Sequence, residues 1–227
     1  EPLPLIIRKG DGGYNYATSD LACVIDRVER IGADAMWYVV GAPQAQHLQM
    51  VEAASRVVGW LPERVDMQHV AFGNVLGSDK KMLKSRSGDS VKLSALLDEA
   101  VERATLAVRE KNPSLSPDEQ AEVARMIGIG AVKYADLSTD RVKDYIFDWD
   151  RMLSFDGNTA PYLQYAHARI CSIFRRANID RASLDSSQLQ VAEPQEKALA
   201  LVLLQFDSAV WDALDKASPH RLCTYLY

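Results

Sequence analysis

The run MWYVVG, residues 36–41, is nearly all apolar and ends in glycine. Strands of a parallel sheet are buried on both faces and show this kind of continuous apolar run. Working outward, apolar residues recur at helical spacing from Leu21 until Gly32, and a second helix is predicted over roughly residues 44–58. A further β-like run, HVAFGNVLG, occupies residues 69–77. This alternation of strands and helices predicts an α/β fold with a parallel sheet and right-handed crossovers.

The segment DGGYNYATSD, residues 11–20, leads into the first helix. A short strand is predicted before it at residues 4–8, PLIIR, and the glycines then allow a tight turn. The alternating residues YNYAT are typical of a second short strand or its approach. Thr18 or Ser19 is predicted to cap the helix, and Asp20 to lie in its first turn, where a negative charge is favoured.

The character of the chain changes after this region. Residues 78–89 are predicted to form a charged, glycine-containing loop, and a long amphipathic helix is predicted over roughly residues 91–111. The next helix has a clear start, because Ser116 is followed directly by proline and, three residues after the serine, by Glu119. That pattern is the sequence of a capping box, in which the serine and glutamate side chains bond to each other's backbone.

The last β-like run is DYIFDW, residues 144–149, and the chain reads as helix from Thr159 onward. The intervening stretch SFDGN, residues 154–158, marks a soft domain boundary. We therefore predict an α/β domain with connecting helices over residues 1–156 and the start of an all-α helical bundle over residues 157–227.

The amino-acid composition limits which classes of protein this chain can belong to. The 227 residues are 48% hydrophobic and 25% charged, which is ordinary for a soluble globular protein. No apolar run is long enough to span a membrane, and no secretion signal is recognisable. Three cysteines at Cys23, Cys171 and Cys223 show no metal-binding spacing, so we predict no metal site and a cytoplasmic protein. The net charge of −5 does not by itself indicate a nucleic-acid partner.

Two polar residues follow predicted strand ends. Ligands of an open parallel sheet bind beyond the carboxyl ends of its strands, and both Asp20 and Gln44 are placed there. Tyr16 lies four residues before Asp20 and offers a hydroxyl or a ring face. A carboxylate in such a crevice suits a cationic ligand, above all a guanidinium. The alternative is that Asp20 is an ordinary helix acid and Gln44 a surface residue.

The charged loop carries four cations, Lys80, Lys81, Lys84 and Arg86, ahead of Gly88. Cations on a loop beside a parallel sheet suit a triphosphate, whose developing charge they stabilise. The loop lacks the GxxxxGK[ST] spacing of a Walker motif. A solvated surface loop is the alternative.

Two further features are weak by themselves. His47 either contacts a nucleotide or merely lies at the start of a helix. The sequence GIG, residues 128–130, lacks both a third glycine and a preceding strand, so we do not interpret it as a dinucleotide site.

Taken together, several stretches resemble the arginyl-tRNA synthetases, a family of class I aminoacyl-tRNA synthetases. The resemblance extends over nearly the whole chain, and seven stretches in order make it specific. They are DGGYNYATSDLA, VVGAPQAQH, HVAFGNVLG, KSRSGDSVKLSALLDEA, GIGAVKYADLS, DYIFDWDRMLSFDGNTAPYLQYAHAR and HRLCTYLY. The resemblance implies that the predicted parallel sheet is half of a Rossmann-like, nucleotide-binding fold.

The resemblance also implies substrate contacts. Tyr16, Asp20 and Gln44 match the residues that bind the substrate arginine, with Asp20 facing its guanidinium. HVAFGNVLG matches the segment that lies along the adenosine of ATP. The resemblance therefore implies an ATP site that draws on His47, Phe72, Gly73, Val75, Lys81 and Lys84.

KMLKSRSG, residues 81–88, resembles the family's variant of the class I KMSKS loop. Leucine stands where that motif has serine, and alignment on SRSG shifts the match by one residue. Lys84 and Arg86 are the residues expected to contact phosphate and to act in catalysis, with Mg²⁺ accompanying ATP.

The HIGH motif of class I synthetases is absent from these residues, so the resemblance implies an internal fragment of a longer enzyme. Its last residues match the first part of a helical anticodon-binding domain. Five residues there are expected to face tRNA, with ordinary surface packing as the alternative: Tyr162, Tyr165, Arg169, Arg175 and Arg176.

The activity implied for the parent protein is arginine–tRNA ligase. Its partners would be ATP, L-arginine and tRNA(Arg), with no membrane, and we expect a monomer. The isolated fragment is expected to be inactive. One alternative is a non-catalytic paralogue of the synthetase that binds RNA or another partner. Another is a different nucleotide-binding α/β enzyme, which would not need Asp20 and Gln44 to converge.

Overall fold

A computed structural model describes residues 4–81, 92–185 and 190–227. Contacts between Cα atoms divide the chain into two compact units, Glu1–Asn74 and Val75–Tyr227. The first unit contains parallel strands and helices, and the second is mainly helical. The α/β architecture followed by helices is the fold class predicted from the sequence. The domain boundary predicted at residues 154–158 stays a prediction.

Strands β1 (Ala35–Tyr38) and β2 (Asp66–His69) pair in parallel in the first unit. Their pairing continues beyond both strands, because Gly41 and Phe72 form a parallel bridge. The single strand predicted over residues 69–77 is therefore wrong in its bounds, since strand β2 begins earlier. A glycine and an asparagine, both favoured in turns, then interrupt the run at positions 73 and 74.

Helix α1 (Tyr16–Ile25) begins earlier than predicted. Its N-cap is Asn15, whose side-chain oxygen accepts hydrogen bonds from the backbone of the second and third helical residues. The Asn15 amide also donates to the Ile6 carbonyl oxygen at 2.7 Å. Residues 4–8 are thus tied to the helix start, and no described residue before strand β1 belongs to a strand. The predicted strands at 4–8 and 14–18 and the predicted cap at Thr18 or Ser19 are wrong.

Helix α1 passes into a π-helical turn, Asp26–Ile31, which ends at Gly32 with a left-handed backbone. After strand β1, a 3₁₀ turn (Ala42–Gln44) leads into helix α2 (Ala45–Val57). The core between these elements consists of aliphatic residues and one methionine: Leu21, Val24, Met36, Val51, Leu61 and Val65.

Strand β1 is buried on one face only in the described structure. Met36 is buried, whereas Trp37 and Val39 are exposed. The apolar run MWYVVG predicted burial on both faces, and that expectation is wrong for this chain. Its parallel pairing with strand β2, in contrast, is present as predicted.

The second unit is built on helices α3 (Leu93–Lys111) and α4 (Pro117–Ser138), which pack through small residues such as Ala100 and Ala131. The predicted capping box at Ser116 is confirmed, with both reciprocal hydrogen bonds in place. Two short strands in this unit, β3 (Val75–Leu76) and β4 (Tyr145–Ile146), pair in parallel.

The remaining described elements are helical, as predicted from Thr159 onward. They are α5 (Trp149–Met152), α6 (Ala160–Ala177), a 3₁₀ turn (Arg181–Ser183), α7 (Pro194–Leu203), α8 (Phe206–Asp215) and α9 (His220–Leu226). Thr159 is the N-cap of helix α6, and its hydroxyl accepts from the Tyr162 backbone N–H. None of the described helices is both long enough and apolar enough to cross a bilayer.

Candidate functional site

Asp20, His47 and Tyr16 form a cluster in the first unit. Tyr16 and Asp20 lie four residues apart on helix α1, a spacing that places both on one helix face. The Asp20 Oδ2 atom lies 2.6 Å from Nε2 of His47, the third residue of helix α2. The Tyr16 and His47 rings lie 4.6 Å apart, tilted by 57°. The structure thus joins two predicted arginine contacts to a histidine that was predicted to serve ATP.

Asp20 therefore does not lie at a strand end, contrary to the prediction. It lies in the second turn of helix α1, because Asn15 rather than Thr18 or Ser19 starts that helix. The Asp20 side chain is 35% exposed to solvent, and the His47 side chain is 14% exposed. The carboxylate is consequently open to a ligand, while the imidazole is mostly enclosed.

Tyr38 and Arg27 border the cluster, and the sequence did not single them out. Arg27 Nη1 donates to the Tyr38 hydroxyl at 2.7 Å, and the guanidinium also lies over the ring of Tyr38. Burial raises the pKa of Tyr38, and the negative charge of Asp20 raises it further, while Arg27 opposes both effects. Tyr38, at the end of strand β1, packs against the same core cluster as Leu21, the residue after Asp20.

Gln44 lies at the end of the 3₁₀ turn that follows strand β1, and it is exposed. Its backbone N–H donates to the Gly41 carbonyl at 3.0 Å. Among the described residues no hydrogen bond joins the Gln44 side chain to Asp20. Their convergence on one ligand therefore stays a prediction.

The segment predicted to lie along adenosine runs beside the Gln44 turn. Phe72 pairs with Gly41, and the Ala42 backbone N–H donates to the Phe72 carbonyl at 3.0 Å. Phe72 keeps an exposed ring next to Gly73. The carboxyl ends of strands β1 and β2 thus bring the two predicted substrate segments side by side in the first unit.

The remaining residues predicted for ATP are distributed differently. Val75 belongs to strand β3 of the second unit and lies opposite Tyr145. Lys81 closes a turn in which its carbonyl accepts from the Gly77 N–H at 2.8 Å. Lys84 and Arg86, the predicted catalytic cations, lie outside the described residues. Within the described ranges no three His, Cys, Asp or Glu side chains are grouped to bind a metal ion.

Helix α6 carries the residues predicted to face tRNA. At about 100° per residue, Tyr162, Tyr165, Arg169 and Arg176 fall on one face of the helix. Arg169 lies over the exposed ring of Tyr165, with 5.7 Å from guanidinium carbon to ring centre. Arg175 lies about 100° round the helix from Arg176. It lines a different, concave surface together with other residues of the helix end.

Comparison with known proteins identifies the family. The family described as tRNA synthetases class I (R), catalytic domain, matches residues 1–149. The chain belongs to this arginyl-tRNA synthetase family. Residues 163–227 match a second family, the DALR anticodon binding domain. The resemblance stated from seven sequence stretches is thereby confirmed.

Curated relatives of this synthetase family match along the whole chain. An arginine–tRNA ligase of Thermobifida fusca is 56% identical over all 227 residues, and one of Yersinia pseudotuberculosis is 52% identical. In both cases the chain spans 39% of the relative's length. The chain therefore corresponds to part of each of these arginine–tRNA ligases.

Solved structures of the same family share the fold. An arginyl-tRNA synthetase of Plasmodium falciparum superposes with a TM-score of 0.85 at 28% identity over 98% of this chain and 38% of that one. The arginyl-tRNA synthetase of Thermus thermophilus gives 0.83 at 30% identity, over 98% of this chain and 41% of the other.

Proposed function

We propose that the protein carrying this chain is an arginine–tRNA ligase. It activates arginine with ATP, forming arginyl-adenylate and pyrophosphate, and then transfers the arginyl group to the 3′ end of tRNA(Arg). The observation that supports this most directly is the open Asp20 carboxylate beside Tyr16, backed by His47. An accessible carboxylate with an aromatic neighbour suits the guanidinium of arginine.

The arginine subsite consists of Asp20, Tyr16 and Gln44 in this proposal. Asp20 accepts from the guanidinium, which is a planar donor that a carboxylate can bind through both oxygens. Tyr16 offers a hydroxyl and an exposed ring next to it. Gln44 adds an amide on the turn after strand β1.

The ATP subsite in the first unit lies along Phe72 and Gly73 beside the Gln44 turn. Val75 and Lys81 stay residues that the family resemblance assigns to ATP. The adjacency of Phe72 and Gly41 supports this assignment, since it sets the adenosine segment next to the arginine segment. Mg²⁺ would accompany ATP, bound to its phosphate oxygens.

Activation joins the arginine carboxylate to the α-phosphorus of ATP and releases pyrophosphate. The chain contributes mainly by positioning the two substrates and by stabilising developing negative charge. Lys84 and Arg86 are the cations proposed for that charge. In the second step the terminal hydroxyl of tRNA attacks the arginyl carbonyl and AMP departs.

The tRNA surface is proposed on the face of helix α6 that carries Tyr165, Arg169 and Arg176, with Tyr162 nearby. Cations and exposed aromatic rings interleaved on one face suit RNA, because cations contact phosphate and rings stack on bases. Arg175 lies on another face of the helix and is left out of this proposed surface.

Aminoacylation by the full-length protein tests the function. Asp20→Asn keeps the side-chain volume and removes the charge, at a cost of about 1.5–3 kcal/mol for a hydrogen bond to a charged group. We expect the KM for arginine to rise by roughly one to two decades and the KM for ATP to change little. Asp26→Asn is the matched control, since Asp26 follows the same helix but pairs with Arg30.

A wild-type protein that charges no tRNA with arginine would support the alternative, a paralogue that binds RNA or a partner without chemistry. An unchanged arginine KM in a folded Asp20→Asn variant would reject Asp20 as the guanidinium partner. The 227-residue chain alone is expected not to charge tRNA, because it spans only 39% of its curated relatives. The monomeric state and the cytoplasmic location stay proposals.

A further inference from the structure

His47 contacts two residues of the proposed arginine subsite, Asp20 and Tyr16. Its Nε2 atom lies 2.6 Å from Asp20 Oδ2, and its ring packs at 4.6 Å against the ring of Tyr16. Its side chain is only 14% exposed, so little of the imidazole remains for a further ligand. This arrangement differs from the expectation that His47 contacts ATP.

The hydrogen bond also fixes which atom carries the proton. An ionised carboxylate can only accept hydrogen bonds, so Nε2 must carry a hydrogen and donate it to Oδ2. The Nε2 hydrogen of His47 is therefore donated to Asp20 and is not available to a ligand. Each oxygen of a carboxylate can accept two hydrogen bonds, so Oδ1 and the remaining lone pair of Oδ2 can both accept from an incoming guanidinium.

We infer that His47 is a positioning and specificity residue of the arginine subsite rather than an ATP contact. The inference rests on the proposed function and refines it. His47 fixes the rotation of the Asp20 carboxylate, and Tyr16 in turn fixes the tilt of the His47 ring. A planar guanidinium needs two acceptor oxygens in its own plane, whereas a lysine ammonium bonds to a carboxylate in almost any rotation. Fixing the carboxylate plane thus favours arginine over lysine.

The test uses two variants of the full-length protein in steady-state aminoacylation. His47→Phe keeps a ring against Tyr16 but removes both nitrogens. His47→Gln retains an N–H donor near the position of Nε2. We expect His47→Phe to raise the KM for arginine about tenfold, in line with loss of one hydrogen bond to a charged group. The KM for ATP should stay within about twofold, and His47→Gln should recover most of the loss.

Two further readouts separate positioning from a merely structural role. In His47→Phe, competition by lysine against arginine should strengthen relative to wild type. The double variant Asp20→Asn/His47→Phe should be no worse than Asp20→Asn alone, because His47 acts through Asp20. His167→Phe is the control, since His167 lies on helix α6, away from the face that carries Arg169.

The inference is overturned if the ATP KM rises while the arginine KM does not, if the two substitutions are additive, or if neither KM changes. A lower melting temperature with both KM values raised alike would equally contradict it. Failure of the proposed function would differ from failure of this inference, because the wild-type protein would then attach no arginine to tRNA. Even in that case ¹H–¹⁵N spectra of the His47 ring report whether Nε2 carries the proton, and a proton on Nδ1 alone would refute the geometry.

Discussion

Gly128 of helix α4 lies against the backbone of Ala100 in helix α3. A Cβ atom built on Gly128 would come within 2.6 Å of the Ala100 carbonyl oxygen and 2.7 Å of the next backbone nitrogen. The glycine therefore has a packing role in the described structure. The sequence GIG, which was not interpreted as a nucleotide loop, is part of this helix contact.

Gly128→Ala should destabilise the protein, because the neighbouring atoms are backbone and cannot move aside. Overpacking costs about 1–3 kcal/mol. Contacts of 2.6–2.7 Å with backbone atoms place the cost in the upper part of that range, above the ~1 kcal/mol that alanine gains over glycine within a helix. Urea unfolding followed by circular dichroism, with the midpoint as the readout, measures the difference.

Gly130→Ala is the matched control, two residues further along the same helix. Its added Cβ would meet the end of the Gln164 side chain at 2.8 Å, and a flexible side chain can rotate away. We expect a clearly smaller loss than for Gly128→Ala. Equal losses for the two variants would show that the Ala100 contact is not what requires glycine.

The capping box gives a second stability prediction. Ser116 accepts a hydrogen bond from the Glu119 backbone N–H, and the Glu119 carboxylate accepts from the Ser116 backbone N–H at 2.9 Å. Ser116→Ala should reduce the free energy of unfolding by about 1 kcal/mol, the usual cost of losing an N-cap. Ser114→Ala, an exposed serine two residues earlier, should have little effect. A similar loss for both variants would argue against a specific cap.

The same capping box predicts that the stability of the protein depends on pH. Hydrogen bonds from the Ser116 hydroxyl and backbone hold the pKa of Glu119 below its ordinary value of 4.5. Because the unfolded chain lacks these bonds, the resulting stabilisation is fully present above about pH 4.5 and is lost as pH falls through the lowered pKa. A carboxyl titration by NMR should show this pKa, and Ser116→Ala should return it toward 4.5. A Glu119 pKa at or above 4.5 in the wild type would contradict the prediction.

Local patterns allowed the sequence to predict some elements better than others. The cap at Ser116 was predictable because all of its atoms lie within four residues. Asn15 was also a preferred cap residue, but its second bond, to Ile6, depends on a turn that brings the two together. The contact between Asp20 and His47 joins residues 27 positions apart on two helices, so no local pattern could indicate it.

Apolar content was likewise an incomplete guide to burial. The run MWYVVG predicted a strand buried on both faces, but composition cannot tell which neighbours cover each face. In the described structure the face with Met36 packs on the core and the face with Trp37 is open. By contrast, the segments of Gln44 and Phe72, which the resemblance assigned to arginine and to ATP, do meet beyond the ends of strands β1 and β2, as the bridge between Gly41 and Phe72 shows.

The last prediction concerns the RNA face of helix α6. Arg169, stacked over Tyr165, and Arg176 lie on one face, whereas Arg175 lies about 100° away. If that face binds tRNA phosphates, Arg169→Ala and Arg176→Ala in the full-length protein should each weaken tRNA binding. Each should also reduce the slope of log K against log salt by roughly 0.7–0.9, the share of one phosphate contact.

Arg175→Ala is the internal control, since it removes the same charge from the neighbouring position. Net charge changes equally in all three variants, so a general electrostatic effect would lower all three affinities and slopes alike. If tRNA contacts only one face, the affinity and the salt slope fall in Arg169→Ala and Arg176→Ala but not in Arg175→Ala. Filter binding of tRNA at several salt concentrations separates the two cases, and equal slopes for all three variants would reject the proposed face.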